Sequence, residues 1–221
     1  MQDATHDLRI ILRSGLKALQ LDLSEHQLDQ LVLYQDLIAK WTRVYNLTSV
    51  RDPAEMVTHH LLDSLAAVVP LRHYLAGTEL AQANRLLDVG SGAGLPGVVL
   101  AICCPTLAVT CVDAVAKKAA FIKQAALALK LPNLTGLHNR VEAMTQAFDV
   151  ICSRAFASLA DFTQLSGAAL APKGVWMAMK GKYPSDELTE LPANIDMFHV
   201  EQLIVPGLHA SRCIVWMRPV S

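Results

Sequence analysis

The chain of 221 residues is as informative in what it lacks as in what it holds. No uninterrupted apolar run approaches the roughly 18 residues of a membrane span, so no membrane-crossing segment is expected. There is no internal repeat and no low-complexity tract. The five cysteines (Cys103, Cys104, Cys111, Cys152, Cys213) contain no Cys-x-x-Cys pair, and most lie in apolar runs, so they read as reduced core residues. No Cys/His spacing suggests zinc, and His59-His60 is not a H-E-x-x-H pair, so no metal is expected. His60 and Asp63 share a helix face at i, i+3, where a surface or capping role is expected. Charge of one sign is also missing: 19 Lys+Arg against 20 Asp+Glu give a net −1. That excludes a basic protein that coats nucleic acid, and any RNA must be held by local patches and shape. Met1–Asp7 is acidic and has no apolar signal-peptide core, so a cytoplasmic location is expected.

What is present is apolar. Hydrophobic residues make up 52% and charged residues 18%, enough for a large core and too apolar for disorder. The first 80 or so residues carry helical periodicity. An amphipathic helix is expected over 5–20, and Ser24-Glu25-His26-Gln27 reads as a capping box opening a second helix. Leu28, Leu31, Leu37, Ile38 and Trp41 recur along it at helical spacing. Asp52 as N-cap and Pro53 at the first position open a third helix, expected to run through Val68 and stop before Pro70. From Arg85 the pattern alternates. Strands are expected at 85–89, 107–112, 134–138, 148–153 and 174–179, and helices at 96–103, 115–130 and 158–170. Two last strands, Met197–Val205 and Arg212–Arg218, are joined only by a Pro206-Gly207 turn region. Strand–helix units closed by a hairpin give a mostly parallel doubly wound sheet with an antiparallel edge. The division is a helical extension, 1–84, and an α/β domain, 85–221.

The run Leu86-Leu87-Asp88-Val89-Gly90-Ser91-Gly92-Ala93-Gly94 reads as strand, glycine turn and helix, with apolar residues resuming at Leu95. Glycines let a ligand lie on the backbone, and the following helix points free N–H groups at the same place. Two patterns overlap. Gly92-Ala93-Gly94-Leu95-Pro96-Gly97 satisfies the dinucleotide G-x-G-x-x-G, and Asp88 to Gly94 satisfies D-x-G-x-G-x-G, the S-adenosylmethionine pattern. The acid decides between them. A carboxylate beside the turn repels a pyrophosphate but suits a ligand carrying a sulfonium and an ammonium. Asp88 is expected to reach the methionine end, directly or through water. Asp113, at the tip of the second strand, suits the ribose hydroxyls. Its other reading is a cap for the helix beginning near Val115, and the two are compatible.

Methyl transfer is an in-line displacement at a carbon on positively charged sulfur, so the protein mainly has to align the acceptor. Strand four, Phe148–Cys152, runs into Ser153-Arg154-Ala155-Phe156. It lacks the Pro-Pro-aromatic turn used for exocyclic amines and the Pro-Cys pair used for pyrimidine C5, so Cys152 reads as packing. Guanine N7 has a free lone pair and no proton to lose, so it needs no general base. Arg154 is a candidate for an RNA phosphate or the ligand carboxylate, or is a strand-end surface arginine. Phe156 either stacks on a base or packs in the core.

These residues also resemble a known family, RsmG or GidB, the bacterial small-subunit ribosomal RNA guanine-N7 methyltransferases. The similar segments are Trp41–Asp52, His60–Ser64, Asp88–Gly97, Arg140–Glu142, Ser153–Leu159 and Lys180-Gly181, in order along nearly the whole chain. The resemblance implies a class I, Rossmann-like S-adenosylmethionine methyltransferase fold with a seven-stranded sheet and an N-terminal helical extension. It implies methylation of the guanine conventionally numbered 527 in 16S ribosomal RNA of the small subunit, near the decoding region. Nothing in the sequence demands more than a monomer. The resemblance places Gly90 and Leu95, with Gly92 and Gly94 of the same turn, at the cofactor. It puts Val141 and Glu142 on the adenine side and Arg154 at a cofactor position. RNA contacts are expected from Arg43 and Arg51 in the helical region and from Lys180 and Lys182. Lys117 and Lys118, with Lys123 on the same helix, are either a second RNA patch or a solvated face. The other readings are a methyltransferase with a non-RNA acceptor, a nicotinamide oxidoreductase and a non-catalytic ribosome assembly factor.

Overall fold

The computed structural model describes residues 2–48, 50, 52–77, 85–154, 156 and 158–220. Helix α1 spans Gln2–Ala18 and α2 spans Glu25–Tyr45. Both halves of the capping box form: the Ser24 hydroxyl accepts from Gln27 N–H, and the Gln27 side chain accepts from Ser24 N–H. The far end of α2 closes on Asn46 in the left-handed region (φ 51°), a conformation asparagine tolerates better than most residues. Leu28, Leu31, Tyr34 and Ile38 form its buried stripe.

Asp52 caps α3, Pro53–Met56, by accepting from the N–H groups of Ala54 and Glu55. The chain then widens into π turns over Val57–Leu62 before α4, Asp63–Leu65, and α5, Val68–Gly77. The expected stop before Pro70 is therefore misplaced. The break falls at Ala66 and Ala67, and Pro70 lies in the first turn of α5, where no intrahelical partner awaits its missing N–H.

Among the described residues there are seven strands, β1 Arg85–Val89, β2 Ala108–Asp113, β3 Leu134–His138, β4 Phe148–Arg154, β5 Leu170–Lys180, β6 Ile195–Leu203 and β7 Arg212–Pro219. They form one sheet in the order β3-β2-β1-β4-β5-β7-β6. The first five run parallel, and β7 lies antiparallel between β5 and β6. Helices α6 (Gly97–Cys103), α7 (Ala116–Ala128), α8 (Leu159–Ser166) and α9 (Ser185–Thr189) complete the fold. Strand β5 begins four residues before the expected 174, because its register to β4 shifts between Phe148 and Val150. A bulge absorbs the extra residues, among them Pro172 and Gly174. The helix expected over 158–170 ends at Ser166 and finishes as a 3-10 turn, Gly167–Ala169.

Strand alternation sorts the side chains into two layers. Leu86, Cys111, Val150, Cys152, Ile214 and Trp216 face one core, shared with α1, α2, α6 and α7. Leu87, Val89, Ile151, Ala178, Val215 and Met217 face the other, under α8. The first core runs without interruption from Leu8 and Leu12 of α1 to the central strands, so the N-terminal helices cover that face of the sheet.

Candidate functional site at the carboxyl edge of the sheet

The glycine turn between β1 and α6 is held from both sides. Gly90, Gly92 and Gly94 all have positive φ (65°, 60° and 85°). A Cβ on Gly90 would meet nothing within 4 Å, so the backbone presents an open face. Beneath it, the N–H groups of Gly90 and Ser91 donate to Val112 O of β2. Asp113, at the tip of β2, accepts from Gly92 N–H (2.9 Å) with Oδ2 and from Val115 N–H (2.8 Å) with Oδ1. The capping reading of Asp113 is not met: the N-cap of α7 is Val115, which has no side-chain cap, and Asp113 holds the N–H of Val115 instead. The same carboxylate fixes the glycine turn, and Lys118 lies 3.8 Å away.

Asp88 shares strand parity with Leu86, which points its carboxylate under α6 rather than out of the sheet edge. It is fully buried, and Oδ2 accepts from Gly97 N–H at 2.8 Å. A Cβ on Gly97 would collide with Cys111 Sγ and with this carboxylate, so only glycine fits. Burial pushes the Asp88 carboxyl up to about 7, against the opposing pull of Gly97 N–H and the Arg154 charge. Its Oδ1 has no partner among the described residues. Asp88 therefore braces the turn from beneath α6.

A second brace was not anticipated from sequence. The hydroxyl of Tyr34, on α2 and wholly buried, donates to Ala93 O in the turn at 2.6 Å. Its ring stacks on Phe121 of α7. The available signal was a phenol within the apolar stripe of Leu31 and Ile38, since a buried Tyr hydroxyl needs a partner.

Of the other expected cofactor residues, Leu95 and Val141 are buried (4% and 6% exposed) and Glu142 is exposed on a 3-10 turn, Val141–Ala143, past β3. Arg154 ends β4. Its Nη1 donates to His59 O (2.9 Å) and to Asp63 Oδ2 (3.0 Å). It is thus no free surface arginine. Asp63 is equally misjudged by sequence: it is neither a surface nor a capping residue, but a buried carboxylate whose Oδ1 accepts from Arg212 Nε at 2.8 Å. His60 is buried too, with Nε2 2.8 Å from Thr48 Oγ1. Burial holds its imidazole down to about 4, so the ring is neutral. Nothing local marks Arg212, which lies 149 residues from Asp63. These groups line a cavity of about 380 Å3 with Val50, Lys180 and Gly181, beyond the ends of β4 and β5.

Lys180, an expected RNA contact, is paired with Glu187 (2.7 Å) and mostly buried. Arg43, Lys117, Lys123 and Lys182 are exposed. Arg51 lies outside the described residues. Phe156 packs on Phe162 of α8, the core reading of the two. Cys152 is fully buried and its thiol is pushed well above the usual range, mainly by burial, as packing requires. Among the described residues, no group of three or more His, Cys, Asp or Glu is placed to hold a metal ion, and no helix is long and apolar enough to cross a membrane.

A doubly wound sheet with this strand order, a glycine turn after β1 and an acid ending β2 defines a Rossmann-like S-adenosylmethionine-dependent methyltransferase. Solved structures share the fold. TrmN from Thermus thermophilus superposes with a TM-score of 0.52 at 20% identity, over 71% of this chain and 48% of that one. Ribosomal protein L11 methylase from Lactobacillus delbrueckii subsp. bulgaricus gives 0.56 at 11% identity, over 72% and 79%. At these identities the likeness speaks for fold alone. Sequence relatives are far nearer. The ribosomal RNA small subunit methyltransferase G of Polaromonas naphthalenivorans (strain CJ2) is 74% identical over 221 residues, the full length of both chains. That of Albidiferax ferrireducens is 63% identical over 219 residues, covering 96% of this chain and 97% of the relative. The chain belongs to the GidB family, rRNA small subunit methyltransferase G, which it matches over residues 27–215.

Proposed function

We propose that this protein methylates N7 of a guanine in 16S ribosomal RNA of the small subunit, the guanine conventionally numbered 527, with S-adenosylmethionine as donor. The observation that carries the reading is full-length identity of 74% to a ribosomal RNA small subunit methyltransferase G. The open, positive-φ face of Gly90 and Gly92 suits a ligand laid against backbone. Gly94 and Leu95 continue that wall, Asp113 is offered to the ribose, and Val141 and Glu142 are offered to the adenine. Asp88 and Tyr34 keep the turn in shape from below. Residues 1–84 serve as the helical cover and 85–221 as the methyltransferase domain, working as a monomer in the cytoplasm. Bound there, the donor supplies a methyl group on positively charged sulfur, an electrophile that needs no further activation.

What remains for the chain is alignment of the acceptor. Around the acceptor cavity each carboxylate is engaged, Asp63 with two arginines and Glu187 with Lys180. The neutral, low-affinity imidazole of His60 is a poor proton acceptor at neutral pH. An acceptor atom that has no proton to lose asks for no base here, and the positive lining of the cavity keeps anionic RNA in place. The test is transfer of labelled methyl from S-adenosylmethionine to small subunits lacking the modification, followed by nucleoside analysis. Label in 7-methylguanosine is the expected result. Label in another nucleoside overturns the acceptor atom. Intact donor binding without transfer overturns the reaction in favour of a binding role.

A further inference from the structure

The cluster Asp63, Arg154 and Arg212 has no part in holding the glycine turn. We propose that Arg212, oriented by Asp63 beside Arg154, binds a backbone phosphate of the RNA at the nucleotide being methylated. This rests on the reading of the protein as an RNA methyltransferase, and it assigns a specific contact at the same site.

Three features carry it. The first is charge. Two guanidinium groups and the Lys180 ammonium face two carboxylates, Asp63 and Glu187, leaving one positive charge in excess in a partly enclosed cavity. His60 is neutral and adds nothing to that sum. The second is donor geometry. Arg212 gives Nε to Asp63 and Nη1 to Ser211 O, and Arg154 gives Nη1 to His59 O and Asp63. Among the described residues, Nη2 of both arginines has no acceptor. Two planar forks fixed on one buried carboxylate, each with an amino group to spare, match a tetrahedral oxyanion. Asp63 is 3% exposed, so it is anchored in the fold and sets the position of both forks.

The third feature is place. Asp113 and Glu142 stand on the β2 and β3 side of the turn, where the donor's adenosine is assigned. Arg212 opens β7, next to Lys180 of β5, on the opposite side of Arg154. With the donor so assigned, the side left open to the acceptor is that of the charged cavity. Arg154 stands between the two halves, and Arg212 faces only the acceptor half. The anion at Arg212 is therefore a phosphodiester of the acceptor, rather than the donor carboxylate.

The experiment compares full-length wild type with R212Q and R212K. Donor affinity is read by calorimetry, binding of unmodified small subunits by filter assay across a salt series, and methyl transfer by label. R212Q should leave the S-adenosylmethionine dissociation constant within about twofold while weakening subunit binding about tenfold. Its salt slope should fall by about one counterion, and R212K should recover part of the loss because it keeps charge without the fork. A tenfold loss of donor affinity with unchanged subunit binding would move Arg212 to the donor carboxylate. Equal losses of both with a lowered melting temperature in R212Q and R212K alike would make it a structural strut. Either result overturns the proposal, as does no change at all. Failure of wild type to label the subunit would instead overturn the RNA methyltransferase reading. The binding series still decides Arg212 in that case.

Discussion

The two halves of the carboxyl edge are built from different materials. On the β1 and β2 side the wall is backbone: three glycines, the carbonyls of Val112 and Ala93, and amides fixed by Asp88 and Asp113. On the β4, β5 and β7 side it is long charged side chains gathered on Asp63. A backbone wall fixed by buried acceptors cannot adjust, which suits a small ligand of one shape. Guanidinium groups gathered on one buried carboxylate present charge and planar donors, which suits the phosphates of a polymer. Backbone is thus set where the ligand is small and invariant, and charge where it is large.

Breaking the first half should have the greatest effect. Gly92→Val puts a branched side chain at φ 60° on the ligand face, and S-adenosylmethionine affinity should fall by about a hundredfold or more. Calorimetry checks this, with circular dichroism to confirm that the fold persists. In the other half, Asp63→Ala should cost about 2 kcal/mol of stability by leaving two guanidinium groups without their shared anion. It should also weaken small-subunit binding more than donor binding, which denaturant titration and the two binding assays resolve.

The comparison sharpens with pH. Asp88 is raised to about 7, so its contribution to stability is present below pH 4 and lost as pH rises through 7. His60 is lowered to about 4, so its contribution is present above pH 6.5 and lost as pH falls through 4. The two slopes oppose each other over the same window. Asp88→Asn should leave a stability that climbs from pH 4 to 7 more steeply than wild type, and His60→Gln one that falls. Urea midpoints across that range test both, and parallel profiles for the two variants would refute the assignment. The smallest effect is expected for Tyr34→Phe. Losing one buried hydrogen bond to Ala93 should lower stability by about 1 kcal/mol and loosen donor binding a few-fold, with subunit binding unaltered.

The same division governs what could be read in advance. The glycine turn, the capping box at Ser24 and the acids at the ends of β1 and β2 are contiguous patterns, each set by neighbours within ten residues. They predicted their elements to within a residue or two. Strand parity, which turns Asp88 beneath α6, was also implicit in the alternation of β1, though ligand chemistry had suggested an outward carboxylate. The acceptor half was opaque. Asp63 meets Arg212 only because β7 is inserted next to β5, and antiparallel order brings its first residue to the carboxyl edge. The π turns at Val57–Leu62 have no compositional mark, yet His59 and His60 come to the cavity from that segment, and Asp63 directly after it. The pairing of Lys180, expected only as an RNA contact, was hidden because its partner Glu187 sits in a short helix that the periodicity did not reveal.

The hydrogen bond from Tyr34 to Ala93 has one more consequence. It ties the middle of a 21-residue helix to the glycine loop that we propose receives the donor. Whatever stills that loop also stills α2, so occupancy should register as slower amide exchange along the helix, far from any atom of the ligand. The helical cover then works as a gauge of cofactor state, legible by mass spectrometry without following a single turnover.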